Sequence, residues 1–264
     1  MSKQTMNEEI LPNVSNIKSS ETYTLPSKGL LYNETDNIPS SITLRRMTTK
    51  EDKMRLRNQS EDKIRRDILQ ACILDKDVDA GKLKLMDANF LLFRLRSLSL
   101  LEDTYKVSCF CPACATSFIH EVNLAEIPVD YITKTKLSNL KVTLPISGQT
   151  VEFKYPSLDN FITTGEDLRA YYDRFPEADK AEAVYTASMI VYVDKVNNTK
   201  LMKEEVEQWL DELDIIDSRA IKQSIETLDS LYGFVEQIKT KCPKCGNEVK
   251  HGLPITNELF DPSK

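Results

Sequence analysis

The pattern Cys-Pro-x-Cys occurs twice in the chain, at Cys111–Cys114 and again at Cys242–Cys245. Two residues between the cysteines of a pair let both thiolates approach one cation at about 2.3 Å, the zinc–sulfur distance. One pair supplies half of a tetrahedron, and two pairs complete it. The sequence therefore predicts one structural Zn²⁺ bound by Cys111, Cys114, Cys242 and Cys245, with no position left for a catalytic water.

The two pairs are separated by 127 residues, whereas compact zinc sites separate them by about 15–20. A shared site requires the intervening segment to leave and return to one place, so that Cys114 and Cys242 lie within about 10 Å of each other. Two other interpretations stay open: two independent reduced dithiols, and a redox pair of the thioredoxin type. The redox interpretation needs a strand-to-helix context, and each pair lies between two predicted strands.

The remaining cysteines and both histidines are candidates for other roles. His120 and His251 each follow the first cysteine of a pair by nine residues, and we expect polar positions on the hairpins rather than ligand roles. Cys109 could replace Cys111 as a ligand, but Cys111 has the matched proline and the matched spacing. Cys72 lies on an apolar helical face, which favours core packing.

The composition provides little catalytic apparatus. The 264 residues include two histidines and seven glycines. Neither histidine lies in an H-E-x-x-H pattern, and no glycine-rich phosphate loop occurs. We therefore expect a protein that is not an enzyme and has no small-molecule substrate.

Charge and hydropathy limit the other partners. The net charge of −6 argues against nucleic acid as the main partner, because phosphate binding needs a basic surface. A zinc-ribbon nucleic-acid-binding protein remains the alternative, since basic residues surround the second cysteine pair (Lys239, Lys241, Lys244 and Lys250). No apolar run reaches the roughly 20 residues of a membrane span, and the polar N-terminus does not resemble a signal peptide, so a reducing cytoplasm is expected.

The rest of the pattern predicts an α+β fold that is mainly helical. Short antiparallel hairpins and a split Cys₄ zinc ribbon accompany the helices, and the two knuckles of the ribbon flank a helical insert. The predicted parts are a flexible arm (1–20), a strand and helix region (21–104), the split ribbon (105–123 with 233–256), the insert with one hairpin and about four helices (124–232), and a tail (257–264).

Local signals place the elements inside these parts. Thr48 and Glu51 have capping-box spacing and predict a helix start, and a second helix should begin near Ser60. Asp87 is predicted to cap a third, strongly apolar helix at the centre of the core. The insert should contain a hairpin over 141–155 and helices near 157–170, 177–193, 203–213 and 217–231.

The segment from Arg45 to Arg66 contains six arginines in 22 residues, together with Met47, Met54 and Leu56. Arginine and methionine are enriched at protein interfaces, so this segment is one candidate contact surface. The alternative, held equally, is a solvated helix pair with internal salt bridges.

Several short motifs occur in an order that resembles one family. They are Pro26-Ser27-Lys28-Gly29, Ile42 to Thr48, Asp87 before the helix carrying Leu95-Arg96, Glu102 to Tyr105 ahead of the first cysteine pair, Leu144 to Gly148, and the second pair with Leu253-Pro254-Ile255. From Leu25 to Phe260 the chain resembles the baseplate hub assembly proteins, or hub assembly chaperones, of T-even-type bacteriophages. Ser97-Leu98-Ser99 and the additional Cys109 depart from that pattern without affecting the four cysteines.

This resemblance implies a non-enzymatic phage protein that helps to build the central hub of a contractile-tail baseplate, as an assembly factor or a minor hub component. It implies other phage baseplate and hub proteins as partners. The site of action would be the host cytoplasm during assembly, and the resemblance leaves open whether the protein stays in the finished virion.

Overall fold

A computed structural model describes residues 19–133, 141–174, 186–234 and 238–261. The strands are β1 (Ser20–Thr24), β2 (Ser41–Arg45), β3 (Thr104–Cys111), β4 (Thr116–Asn123), β5 (Val129–Asp130), β6 (Lys141–Thr143), β7 (Thr150–Phe153), β8 (Val193–Val196), β9 (Gly233–Phe234), β10 (Ile238–Lys241) and β11 (Glu248–His251). The helices are α1 (Thr49–Asp52), α2 (Glu61–Cys72), α3 (Leu85–Leu100), α4 (Leu158–Arg174), α5 (described over 186–190), α6 (Lys203–Asp211) and α7 (Ile215–Asp229).

Within the described residues the strands form five small antiparallel sheets. Four are two-stranded, β1–β2, β3–β4, β5–β9 and β10–β11, and the fifth has the order β6–β7–β8. The β5–β9 pair joins Val129 to Phe234. The chain that connects the β3–β4 hairpin to the β10–β11 hairpin therefore begins and ends at one place.

Helix α3 lies at the centre of the main core, as its composition predicted. Its buried side chains include Phe90, Leu91, Leu92 and Leu95, and a helix that is apolar on nearly every side is stable only when neighbours surround it. Those neighbours come from β1–β2, α2 and the β3–β4 hairpin. A second core joins the β6–β7–β8 sheet to α6 and α7, and Met86 at the start of α3 packs into it.

The first two helix starts are confirmed, and the third prediction is wrong in detail. Thr48 and Glu51 form a capping box at the start of α1, and α2 follows Ser60. Asp87 does not cap α3, because Lys84 precedes the first helical residue and Asp87 lies in the first turn. Its buried carboxylate instead accepts hydrogen bonds from the backbone N–H of Ser27 and from the hydroxyl of Tyr32.

Glu51 is expected to make the stability of the fold depend on pH in the acidic range. Arg45 donates two hydrogen bonds to its buried carboxylate, at 3.1 and 3.0 Å, and Thr48 donates from its backbone and its hydroxyl. The hydrogen bonds from Arg45, and then those from Thr48, lower the pKa of Glu51 from 4.5 to about 2. The folded state therefore favours the carboxylate, whose contribution is present above pH 4.5 and is lost as the pH falls towards 2.

Glu51→Gln should accordingly lower the free energy of unfolding at neutral pH by about 2–3 kcal/mol. The difference from wild type should shrink as the pH falls through that window, measured by denaturant unfolding. Glu61→Gln is the control, because Glu61 is exposed and pairs with Arg65; such a pair contributes less than about 1 kcal/mol. A difference between Glu51→Gln and wild type that does not change between pH 7 and pH 3 would contradict the assignment.

The predicted fold class, mainly helical around a split zinc ribbon, is wrong. The fold is mixed α+β, with small antiparallel sheets among the described residues, and the two cysteine-bearing hairpins form separate two-stranded sheets rather than one ribbon. Strand β8 shows the physical reason. Val193 was the last residue of a predicted helix (177–193), yet Val193–Val196 pairs with β7, 40 to 45 residues earlier, and such long-range pairing overrides local propensity.

Some predicted elements lie outside the described residues. They are the arm up to residue 18, the first half (177–185) of the helix predicted near 177–193, the start of the strand predicted from Val235, and the end of the tail. The 141–155 hairpin is confirmed as β6–β7. Within the described ranges no helix is both long enough and apolar enough to cross a bilayer.

The arginines between residues 45 and 66 make ion pairs and hydrogen bonds with other residues of the same chain. Arg57 pairs with Asp67, Arg65 with Glu61 and Asp62, and Arg66 with Asp67 and Asp159. Arg45 binds Glu51, while Arg46 and Arg55 donate to the carbonyls of Ser99 and Phe260. This network favours the alternative of internal salt bridges over an arginine-rich contact surface.

Candidate metal centre

The two cysteine pairs occupy equivalent positions on two hairpins. Cys111 is the last residue of β3, and Cys242 directly follows β10. Each chain then turns back, and the fourth residue after the first cysteine has positive φ in both turns: 52° at Ala115 and 74° at Gly246. The second turn is closed by hydrogen bonds of 2.9 Å from Gly246 N–H to Cys242 O and from Cys242 N–H to the carbonyl of Asn247.

The turns bring all four predicted ligands together. Sγ of Cys111 lies 3.7 Å from Sγ of Cys245, and Sγ of Cys114 lies 3.7 Å from Sγ of Cys242. All four sulfur atoms lie within 4.8 Å of one another. The expected proximity of Cys114 and Cys242 is confirmed, and it is much closer than the 10 Å limit.

These distances fit a metal better than they fit disulfides. A disulfide needs a sulfur–sulfur bond of about 2.05 Å. Four thiolates at about 2.3 Å from a central zinc form a tetrahedron with an edge of about 3.8 Å, and the two distances of 3.7 Å match that edge. The residues present therefore fit a Cys₄ metal site.

Burial closes the site on one side. Cys111 and Cys242 are buried with Val249, and Phe118 packs against them. Cys114 is half-buried and Cys245 is exposed. The sulfur cluster thus lies between the two hairpins, with its outer edge at the turns.

The pKa values of the cysteine thiols also favour a bound cation at this site. Thr116, and then the neighbouring thiols, lower the pKa of Cys114 to about 6 by hydrogen bonding. The backbone N–H of Asn247 lowers the pKa of Cys245, but the hydrogen bond to Cys114, desolvation and the other thiols raise it to about 12. Once one thiolate has formed, its charge opposes the next ionisation, and a bound divalent cation removes that penalty because it binds the deprotonated thiols.

The contacts between the hairpins are reciprocal. The first cysteine of each pair meets the second cysteine of the other, and His120 meets His251. Contacts of this kind are those of a two-fold axis, in which each element presents the same surface to its equivalent. The repeat in the sequence is therefore also a repeat in space.

The structure separates the remaining candidates from the four cysteines. Cys109 is buried two residues before Cys111, and its sulfur belongs to a different group, with His120 and His251. It does not replace Cys111 among the four sulfurs. Cys72 is fully buried in the main core, as predicted. The grouping of Cys109 with both histidines was missed, although the common spacing of the histidines was a signal that they would meet.

Comparison with known proteins identifies one family. A family model described as "T4 bacteriophage base plate protein" matches residues 20–261. No curated protein and no solved structure gives a significant match to the chain. Because the family match covers nearly the whole sequence, the chain belongs to the T4 bacteriophage base plate protein family.

Proposed function

We propose that this baseplate protein acts without catalysis in building the central hub of the phage tail baseplate, as an assembly factor or a minor hub component. The observation that carries the proposal is the family match over residues 20–261, and the order of motifs from Pro26 to Ile255 supports the hub. The work would be done in the host cytoplasm, through contacts with other baseplate and hub proteins.

We further propose that Zn²⁺ is the metal held by the four cysteines and that its role is structural. Four thiolates are a donor set that zinc accepts in closed sites. The ion would join the β3–β4 hairpin to the β10–β11 hairpin, which are far apart in sequence. The bound ion would therefore hold the outer faces of the two hairpins in a fixed orientation relative to each other.

One of those outer faces has the character of a contact surface. Phe110 and Ile119 point away from the core on the β3–β4 hairpin and are 58% and 67% exposed. Their partners across the strands are serines, Ser117 and Ser108, so the two apolar side chains are diagonal neighbours, about 7–8 Å apart at their backbones. Aromatic side chains are enriched in the buried centre of protein interfaces, so we propose this exposed pair as part of the contact surface.

Retention of partners from phage-infected cells tests the function. Tagged wild-type protein is expected to retain hub and baseplate proteins, whereas Phe110→Ser/Ile119→Ser should retain less than about a tenth as much, equivalent to roughly 1.4 kcal/mol or more of binding free energy. Both side chains are exposed, so the melting temperature should change little. Leu56→Ser is the control, because Leu56 is 85% exposed in the arginine segment.

Two results distinguish an error in the proposed contact surface from an error in the proposed function. Equal retention by the double variant and wild type would place the contact elsewhere. Wild-type protein that retains no baseplate protein would contradict the assembly role.

One observation keeps nucleic acid as a second candidate. Lys239 lies opposite Lys250 on the exposed side of the β10–β11 hairpin, and Lys241 lies opposite Glu248. Glu248 is also 3.7 Å from Lys239, so the acidic partner reduces the positive potential of this face. Recovery of nucleic acid with wild-type protein, lost at high salt, would favour this alternative.

A further inference from the structure

A second group of metal-binding side chains lies beside the four cysteines and shares none of them. Ligand atoms of Cys109, His120 and His251 lie within 4.8 Å of one another. Cys109 faces inward from β3, His120 faces inward from β4, and His251 ends β11. Three chain segments therefore converge on this point, two from one hairpin and one from the other.

The two imidazoles are already oriented. Nδ1 of His120 lies 2.8 Å from Nε2 of His251, and Nδ1 of His251 lies 3.0 Å from the carbonyl oxygen of Gly252. A carbonyl only accepts, so Nδ1 of His251 carries the proton and Nε2 presents a lone pair. A backbone carbonyl that fixes the tautomer in this way is the usual support of a metal-ligating histidine.

Cys109 breaks the two-fold repeat at this point. The residue two positions before Cys111 is Cys109, whereas the residue two positions before Cys242 is Thr240. A structural repeat alone needs no thiol here. The extra cysteine provides a soft donor where two imidazoles meet, and thiolate with imidazole is a donor set typical of zinc and its neighbours in the first transition row.

We propose that Cys109, His120 and His251 form a second metal site that binds a divalent transition ion of the Zn²⁺ class. The ion takes the place of the proton between the two histidines, which moves to Nε2 of His120, and the Cys109 thiol releases its proton to solvent as the metal–sulfur bond forms. Tetrahedral zinc at about 2.0–2.1 Å from each nitrogen requires the two nitrogens to stand about 3.3 Å apart, so they must separate by roughly 0.5 Å from their distance of 2.8 Å. Water completes the coordination, because three protein ligands leave one position open.

Metal content distinguishes this site from a hydrogen-bonded histidine pair beside an inert thiol. Protein incubated with zinc chloride and desalted is measured by elemental analysis. Wild type should hold one equivalent of zinc more than Cys109→Ser and one more than His251→Gln. Cys72→Ser is the matched control, a buried cysteine outside both groups, and should hold as much as wild type.

Cobalt(II) reports the two sites separately. The wild-type absorption spectrum should contain a component that disappears in Cys109→Ser and His251→Gln, while the bands of the four-thiolate site remain. In Cys245→Ser the bands of the four-thiolate site should disappear, and the component that depends on Cys109 and His251 should remain. If Cys109→Ser does not fold, His251→Gln decides, since its ring is only half-buried. Equal zinc content and equal cobalt spectra in wild type and His251→Gln would overturn the second site without affecting the first.

Discussion

Cys242→Ser is expected to lower the free energy of unfolding by at least about 4 kcal/mol, far more than the roughly 1 kcal/mol of an average substitution. The sulfur of Cys242 is buried 3.7 Å from Cys114, and its loss leaves three thiolates and an open position. Structural zinc contributes about 10–16 kcal/mol in isolated finger peptides. The effect here should be smaller, because both large hydrophobic cores exclude the four cysteines.

A chelator provides the control for this effect. It should lower the melting temperature of wild type towards that of Cys242→Ser, and it should change the melting temperature of Cys242→Ser much less. Cys72→Ser should lose some stability through its buried hydroxyl but should respond to the chelator like wild type. A Cys242→Ser protein that melts at the wild-type temperature would contradict a shared site.

Asp87→Ala is the second substitution with a large expected effect, about 3 kcal/mol of unfolding free energy. The buried carboxylate accepts from the backbone N–H of Ser27 at 3.0 Å and from the hydroxyl of Tyr32 at 2.6 Å. Tyr32 in turn accepts from the backbone N–H of Lys84 at 2.8 Å, at the start of α3. Burial raises the pKa of Asp87, and the hydrogen bonds from Ser27 and Tyr32 oppose that rise.

Alanine at position 87 would leave two buried donors without their acceptor. Tyr32→Phe removes the hydrogen bond to Asp87 and the one from Lys84 but leaves the carboxylate in place, so it should cost less, about 1–2 kcal/mol. Denaturant unfolding of the two single variants and the double variant measures the coupling between them. Equal stability of Asp87→Ala and Tyr32→Phe would contradict the role of the Asp87 carboxylate in this network.

Local signals predicted the elements whose causes are local. The capping box at Thr48 and Glu51 lies within four residues, and each cysteine turn is defined by its own sequence. The cysteine pairs could also be matched to each other, because four thiolates satisfy one metal whatever the distance along the chain. The candidate site was therefore more predictable than the fold around it.

Contacts between distant residues were not predictable in the same way. The sequence of β8, Val-Asp-Lys-Val, carries two charges and becomes a strand through pairing with β7. Asp87 resembles a helix cap until Ser27 and Tyr32, 60 and 55 residues away, occupy its carboxylate. The arginines between 45 and 66 are likewise satisfied by partners that composition does not reveal.

The zinc content of wild type and of Cys245→Ser, both purified reduced and without chelator, tests the four-cysteine site most directly. Cys245 is the exposed member of the four, so the variant is the one most able to keep its fold, and Lys244→Ser controls for a change in the same turn. We expect wild type and Lys244→Ser to contain one zinc ion per chain more than Cys245→Ser. Equal zinc in all three proteins would contradict the metal centre.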